Sequence, residues 1–358
     1  MNDFAPYCSV DVASELVACC LAKNVPFYVC RYPGEEQCRF GAQLDGAPVA
    51  GLVDGFRVVP FDIEGDAPAF TIVPDTFAAD IATLRNAAVR EVGTQDITLV
   101  DTSYEAYVSA VESLVERMQR GDMSKVVLSR TITHSCDTIA FLPQYYARLC
   151  RLYPTAYVFM VSYPDVCCWV GATPEVLLLS QPTGYATMAL AGTRVVNTAT
   201  PWGNKERDEQ QYVAQYISQI LQSCQLTNVA VRTYTKQAAQ VEHLCTHFDI
   251  VSLHSSDLRD DLVQRLHPTP AVAGTPTPQA MQAIAATESH ARKYYGGYLG
   301  EALSDGRCGF FVNLRSMEFT PHAVRLYVGG GLTAHSVAHD EWNETCAKSQ
   351  TLLSAFQS

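Results

Sequence analysis

Apolar and polar positions are spaced along the chain in two ways, one typical of helices and one typical of strands. From Tyr104 to Met118 the apolar residues recur every three or four positions, and Gly121-Asp122 ends the pattern. This spacing predicts a helix that begins after Thr102-Ser103. Beyond it, short apolar or β-branched runs separated by turn residues predict strands. These predicted strands cover residues 125–133, 156–162, 168–171, 176–180, 187–192, 310–318 and 323–330.

Two more helical stretches lie among and after these strands. One opens on the polar run Asn204–Glu209 and continues to Ile220, and the other runs from about Asp340 to Phe356. Residues 1–100 mix short helical and strand-like stretches with turns and carry no motif, so we expect them to form half of the scaffold. Many strands with helices between them, and no linker or repeat, predict a single α+β domain over residues 1–358.

Composition narrows the possible partners. Of the 358 residues, 48% are hydrophobic and 17% charged, which allows a sizeable core, and the net charge is −12. With no Lys/Arg stripe, we expect neither nucleic acid nor an anionic membrane as a partner, whereas a small anionic substrate remains possible. The sequence predicts neither a signal peptide nor a membrane-spanning run. The 13 scattered cysteines form no Cys-x-x-Cys pair, which favours free thiols in a reducing cytoplasm over zinc or disulfides.

Two titratable residues stand beside apolar strands. Lys125 begins a predicted strand, where a lysine ordinarily lies at an edge and extends its ammonium to water. Glu175 lies between a proline turn and the apolar run Val176–Leu179. Its carboxyl is either solvated there or buried with a raised pKa, as a general acid requires.

Further acids and glycines carry weaker signals. Glu209 lies in the charged run KERDE, which ordinarily forms a solvated first helical turn. Glu341, Glu344 and Lys348 share one face of the last predicted helix, a spacing also typical of surface salt bridges. The triplet Gly329–Gly331 removes side chains just before that helix and frees backbone N–H groups for an anion.

Two residues with nitrogen-bearing side chains, Arg315 and His243, have apolar neighbours in the sequence. Arg315 has apolar strand neighbours, so its guanidinium needs a partner, and a carboxylate is the natural one. His243 would ordinarily be a hydrogen-bonded core histidine. The segment His267–Ala271 reads as a rigid, proline-rich loop.

Ten short segments stand in order between residues 125 and 348. They are KVVLSR (125–130), GATPE (171–175), ALAGTR (189–194), KERDE (205–209), EHL (242–244), LHPTPAVAG (266–274), E-x3-R-x2-YGG-x2-G (288–300), NLR (313–315), GGG (329–331) and EWNETCAK (341–348). Together they resemble the chorismate-binding enzymes, a family of isochorismate synthases, salicylate synthases, anthranilate synthase large subunits and aminodeoxychorismate synthases. The resemblance implies two antiparallel sheets packed face to face, helices outside, and a cleft between the sheets, with a chorismate-binding core over about residues 103–356.

The resemblance also implies a set of site residues. It assigns Mg²⁺ to Glu209 and Glu341, with Glu344 acting through water, which suits a hard ion that keeps several waters. It makes Lys125 the general base and Glu175 the general acid. The residues that it assigns to substrate binding are Gly192, Thr193, His243, Ala271, Tyr295, Arg315, Gly329, Gly330, Gly331 and Lys348.

Within the family, Lys125 favours addition of water, because amine-adding members usually carry Gln there and work with a glutaminase, which is not expected here. The resulting hypothesis is an isochorismate synthase, acting as a monomer in menaquinone or siderophore biosynthesis. A salicylate synthase stays open: Ala271 disfavours it, since such members typically have Thr there, whereas Tyr295 favours it. A non-catalytic chorismate-binding relative is disfavoured because Lys125 and Glu175 are both present.

Overall fold

The computed structural model describes residues 6–357 except 92, 94–97, 99, 136–139, 197–200 and 239–240. The helices of the described part are α1 (Val10–Lys23), α2 (Ile81–Asn86), α3 (Tyr104–Gln119), α4 (Leu142–Leu152), α5 (Asn204–Ser223), α6 (Ser256–Leu266), α7 (Thr277–Thr287) and α8 (Ala338–Gln357). None of these described helices has both the length and the apolar character that a membrane crossing requires.

Strands make up most of the remaining regular structure. The first nine are β1 (Tyr7–Cys8), β2 (Phe27–Arg31), β3 (Cys38–Ala42), β4 (Val49–Ala50), β5 (Gly55–Val59), β6 (Phe70–Ile72), β7 (Thr76–Phe77), β8 (Lys125–Ser135) and β9 (Tyr157–Tyr163). The others are β10 (Cys167–Thr173), β11 (Val176–Gln181), β12 (Gly184–Val195), β13 (Val229–Ala238), β14 (Val241–Val251), β15 (Gly274–Thr275), β16 (Tyr298–Ala302), β17 (Cys308–Val312), β18 (Ser316–Phe319) and β19 (Ala323–Leu332).

The strands form two antiparallel sheets. The first has the order β1-β3-β2-β9-β10-β18-β19-β8-β15, with β7 also paired to β3, and the second has the order β13-β14-β12-β11-β17-β16-β5-β6-β4. An apolar cluster joins the two sheets; within it, Tyr157 of the first sheet stacks on Phe311 of the second with ring centroids 3.8 Å apart. The predicted α+β fold of two packed antiparallel sheets is confirmed.

Helices cover the outer faces of the sheets, as the resemblance implies. Ser103 caps α3 by accepting a hydrogen bond from the Ala106 amide, and the face carrying Tyr107, Val111 and Leu114 is buried. Helices α1, α4 and α8 pack together on the first sheet. The first hundred residues supply strands to both sheets, β1–β3 and β7 to the first and β4–β6 to the second.

One predicted strand is wrong in a way that matters for the site. The run 310–318 is two strands, because the chain leaves the second sheet after Val312 and enters the first at Ser316. Arg315, in the link, has a φ of 47°. A second link runs beside it, since β10 of the first sheet leads through Pro174 and Glu175 into β11 of the second. A paired two-stranded ribbon therefore crosses from sheet to sheet and carries both residues between them.

Candidate active site

A cleft opens where the two crossing links meet the second half of β19. The side chains and backbone that line it are those of Val127, Pro174, Glu175, Leu190, Ala191, Thr193, Glu209, His243, Ala271, Val272, Arg292, Tyr295, Leu314, Arg315, Tyr327, Val328, Gly329, Gly330, Gly331 and Lys348. Most predicted site residues are in this set. Of the remaining four, Lys125, Gly192 and Glu344 contact members of it, and Glu341 lies close to Gly330, as described below.

Lys125 is buried rather than exposed at an edge. It begins β8, which lies between β19 and β15, so the strand is interior at this point and the ammonium has no direct route to water. The side chain is 0% exposed, and Nζ lies 3.2 Å from Glu209 Oε1. Desolvation lowers the pKa of Lys125, although the charges of Glu209 and Glu175 oppose this effect. Such a lysine can lose its proton more readily than one in water.

Glu175 occupies a different environment. The residue is 2% exposed, and among the described residues Oε1 has no hydrogen-bond partner. Its backbone is fixed, because its amide donates to Thr173 Oγ1 at 3.3 Å and its carbonyl accepts from the Val312 amide. Burial raises the pKa of the Glu175 carboxyl to about 8, against the opposing charges of Lys125, Lys236 and Lys348. The carboxyl is therefore largely protonated at neutral pH.

Three carboxylates approach the glycine triplet. Glu209 comes from α5, and Glu341 and Glu344 come from α8. A β-carbon at Gly331 would collide with Glu209 Oε1, and one at Gly330 would lie 3.2 Å from Glu341 Oε2. The absence of side chains therefore lets acids from two distant helices approach one stretch of β19.

Lysines neutralise these acids. Lys205 Nζ lies 2.5 Å from Glu341 Oε1, and Lys348 Nζ donates to Glu344 Oε1 at 2.6 Å and to the Gly329 carbonyl at 2.9 Å. Burial raises the pKa of Glu341 to about 7, with Lys205 opposing and Glu344 adding to the rise. The charges of Lys348 and Lys205 hold the pKa of Glu344 below its usual value, despite burial.

The donor set fits a hard divalent cation. Glu341 Oε2 is buried without a hydrogen-bond partner among the described residues, and carboxylate oxygens are the ligands that Mg²⁺ prefers. Within the described part of the chain, no three His, Cys, Asp or Glu side chains already stand as a metal cluster. Two carboxylates completed by water suit Mg²⁺ better than a full protein cage, so the fit rests on Glu209 and Glu341.

Arg315 points into the cleft with little on the protein to neutralise it. It is 7% exposed, donates to Thr351 Oγ1 at 2.8 Å, and places Nη2 3.4 Å from His243 Nε2. The expected carboxylate partner is not found among the described residues, since neither neighbour is an acid. A buried guanidinium in this state is suited to a carboxylate from a ligand.

His243 is held as a neutral ring. Its Nδ1 lies 3.0 Å from the Gly192 carbonyl, which can only accept, so Nδ1 carries the proton and Nε2 keeps its lone pair. Burial, together with the charges of Arg315 and Lys348, lowers the pKa of His243 to about 3. Thr193 Oγ1 lies 3.2 Å from the same Nδ1.

Gly192 makes this arrangement possible. It forms a bulge in β12 against β14 and has a φ of 72°, a region that glycine enters without strain. A β-carbon there would lie 2.9 Å from the Glu206 carbonyl at the start of α5. The glycine thus turns its own carbonyl toward His243 and lets α5 approach β12.

Ala271 and Tyr295 complete the lining. Ala271 lies in the loop before β15, the strand that pairs with Lys125 and Val126. Tyr295 stacks on Tyr327 with centroids 5.5 Å apart, and burial raises its pKa to about 12, so its hydroxyl stays protonated.

Three cationic residues near the cleft were not predicted. Lys205 is the first residue of KERDE and could have been noted as one helical turn before Glu209. Arg292 braces the cleft by donating to the carbonyls of Val127 and Val272. Lys236 donates to the Pro174 carbonyl, and no sequence pattern indicates this contact.

The cleft is compact. Its cavity measures about 70 Å³. A larger cavity of about 630 Å³ lies on the other side of Arg292, but none of the predicted site residues lines it.

Comparison with solved structures identifies the fold. The menaquinone-specific isochorismate synthase MenF of Escherichia coli superposes with a TM-score of 0.75 and 20% identity, covering 95% of this chain and 90% of that one. This chain therefore shares the fold of that protein.

Sequence comparison identifies the family. The family described as "Chorismate binding enzyme" matches residues 73–357, so the chain belongs to the chorismate-binding enzymes. Isochorismate synthase EntC of Escherichia coli K12 is 28% identical over 342 residues, covering 89% of this chain and 86% of the relative. The vibriobactin-specific isochorismate synthase of Vibrio cholerae is 26% identical over 321 residues, covering 84% and 78%.

Proposed function

We propose that the protein is an isochorismate synthase, which adds water at C2 of chorismate and expels the C4 hydroxyl. The observation that carries this proposal is the pair of buried groups, Lys125 with a lowered pKa and Glu175 with a raised one. Water is a poor nucleophile and hydroxide a poor leaving group, so the reaction needs a base and an acid in one site. The names of similar proteins support the same reaction.

In the proposed mechanism each group acts in the form toward which burial shifts its pKa, the neutral amine for Lys125 and the neutral acid for Glu175. Lys125, as the neutral amine, takes a proton from the water that attacks C2. Glu175, as the neutral acid, gives its proton to the departing C4 hydroxyl, which leaves as water. Proton transfer of this kind typically contributes about 10²–10⁴-fold to the rate. The two groups end with exchanged protonation states, which suit the reverse reaction.

Substrate binding is assigned to the remaining cationic and neutral donors. Arg315, the Tyr295 hydroxyl, Lys348 and the backbone of Gly329–Gly331 would hold the enolpyruvyl carboxylate. His243, held neutral, would accept a hydrogen bond from a ring hydroxyl at Nε2. Gly192 and Thr193 would bound the reacting edge of the ring.

A divalent cation completes the proposal. Held by Glu209 and Glu341, with Glu344 through water, Mg²⁺ would supply positive charge that binds the ring carboxylate of the substrate. Lys205 already pairs with Glu341, and Lys125 pairs with Glu209. When the cation binds, each lysine must therefore share its glutamate with the cation or lose the ion pair.

Product analysis tests the assignment. Purified protein with chorismate and Mg²⁺ near neutral pH should yield an equilibrating mixture of chorismate and isochorismate, resolved by chromatography, with little salicylate or pyruvate. Stoichiometric pyruvate release would replace the assignment with salicylate synthase, which Tyr295 favours. Tight chorismate binding with no turnover would instead indicate a non-catalytic relative.

The destination of the product is a separate question. The similar proteins include a vibriobactin-specific and a menaquinone-specific isochorismate synthase, so both siderophore and menaquinone biosynthesis stay proposals. Gel filtration with light scattering would test the proposed monomer.

A further inference from the structure

Lys236 is an unusual lysine for its position. Strand β13 forms an edge of the second sheet, and its residues from Ala230 to Thr235 are all exposed. Lysines on edge strands commonly project into water and discourage pairing with other chains. Lys236 does the opposite: it is half-buried, its Nζ donates to the Pro174 carbonyl at 2.8 Å, and Nζ also contacts Met188 Sδ at 3.7 Å.

This contact falls on the link that carries the acid. Pro174 and Glu175 connect β10 in the first sheet to β11 in the second, so neither residue belongs to a strand. The Glu175 backbone is tied to Thr173 and Val312, and Lys236 adds a tie one peptide earlier from a different part of the fold. The ammonium thus braces the link from the side of the β13–β14 hairpin.

Charge strengthens the connection. Ionisable groups that act on the Glu175 carboxyl are Lys125 of β8, Lys236 of β13 and Lys348 of α8, all of which lower its pKa against the effect of burial. Burial lowers the pKa of Lys236 itself, whereas Cys245 of β14 and Glu175 oppose that shift. Removal of Lys236 would therefore leave Glu175 a weaker acid as well as a less firmly held one.

We propose that Lys236 is a positioning residue for Glu175: its ammonium holds the Pro174 carbonyl, fixes the link that carries the acid, and keeps a positive charge close to the carboxyl. The proposal rests on the proposed function, in which Glu175 donates a proton to the leaving hydroxyl. A purely structural lysine would affect stability without changing the proton affinity of Glu175.

Three substitutions separate the hydrogen bond from the charge. Lys236→Met removes both, Lys236→Gln keeps a donor without charge, and Lys236→Arg keeps both. Arg232→Met is the matched control, because Arg232 lies four residues earlier on β13 and its exposed side chain pairs with Asp249. Circular dichroism and melting temperature show whether each variant folds, and Lys236→Gln carries the test if Lys236→Met does not.

Kinetics provide the first measurement. In Lys236→Met we expect kcat for chorismate to fall about tenfold near neutral pH, with KM changed less than about threefold, because a small misplacement of the acid slows the chemical step. The basic limb of the pH–rate profile should move up by roughly 0.5–1 pH unit in both the Met and Gln variants. Lys236→Arg and Arg232→Met should keep the wild-type limb.

Infrared difference spectroscopy provides a measurement that needs no turnover. The carboxyl band that disappears in Glu175→Gln reports the protonation of Glu175, and its titration midpoint should be higher in Lys236→Met than in wild type. An unchanged midpoint in the Met and Gln variants, or an equal shift in Arg232→Met, would overturn the proposal. If wild-type protein does not convert chorismate but the Lys236 variants still raise the titration midpoint of Glu175, only the proposed function is contradicted.

Discussion

The two ends of the cleft use similar residue types in opposite ways. At the glycine triplet, Glu209, Glu341 and Glu344 each lie within ion-pair distance of a lysine, and the acids and bases form a dense network. At the crossing link, Glu175 is just as buried but has no ion pair among the described residues, and Oε1 has no hydrogen-bond donor.

The difference shows how one fold prepares carboxylates for different work. Direct ion pairs favour the charged form of an acid, whereas desolvation without a close partner favours the neutral form. Accordingly, the pKa of Glu344 is lowered and that of Glu175 is raised to about 8. Glu341 lies between these cases, because burial outweighs its bond to Lys205. The glycine triplet therefore suits cation and anion binding, and the crossing link suits proton donation.

The largest expected effect comes from removing either the proposed base or the proposed acid. Lys125→Ala and Glu175→Gln should each lower kcat by about 10²–10⁴-fold while chorismate binding and the fold are largely kept. Stopped assays with product chromatography measure the loss, and exposed Glu116→Gln on α3 is the control that should leave kcat unchanged. Near-wild-type turnover by either variant at neutral pH would show that its role is wrongly assigned.

Removing a carboxylate at the glycine triplet should act through the cation. Activity should be lost in excess EDTA and restored by Mg²⁺, and Glu341→Ala should weaken Mg²⁺ binding by at least about tenfold. Calorimetry or the Mg²⁺-dependent rise in melting temperature measures binding without turnover. Asp340→Ala, exposed one residue earlier on α8, is the control. Full activity in EDTA would remove the metal from the proposal.

The pH dependence of the rate sharpens the contrast between the two ends. A general acid works only while it holds its proton, so forward kcat should fall as pH rises through the pKa of Glu175, about 8. Above that value the loss should approach tenfold per pH unit. Steady-state rates across this range, with the melting temperature as a control for unfolding, measure the limb. A rate that is constant well above pH 8 would mean that Glu175 is not the acid.

The smallest expected effect concerns the fate of the product. Ala271→Thr adds a hydroxyl to the cleft in the loop before β15, and Tyr295 is already in place. Loss of pyruvate from isochorismate needs the enolpyruvyl arm held close over the ring, so a firmer grip should raise the salicylate fraction several-fold, roughly tenfold at most. A coupled pyruvate assay measures it, with Ala271→Ser as a smaller matched change. No increase in either variant would remove Ala271 as the specificity determinant.

Much of the fold was predictable from local pattern. The helices at residues 104–119 and 204–223 and the strand at 125–135 were recognised within a few residues, because helical and strand spacing of apolar residues reflects which face is buried. The strand predicted over 310–318 failed because apolar runs on both sides of the link hide a change of sheet. Only long-range pairing, β17 with β11 and β18 with β10, reveals it.

By itself, the sequence determined the chemical inventory: a lysine, several acids, an arginine and a glycine triplet, in the order that a chorismate-binding enzyme carries. The tertiary structure alone decided the burial and the protonation of these residues. From the sequence, Lys125 is expected at a sheet edge, whereas in the structure its strand lies between β15 and β19. The sequence leaves open whether Glu175 is solvated or buried, and the structure shows that it is buried. Lys236 had no sequence signal at all. Protonation depends on burial and on charges brought from distant elements, and these are fixed only when the two sheets pack.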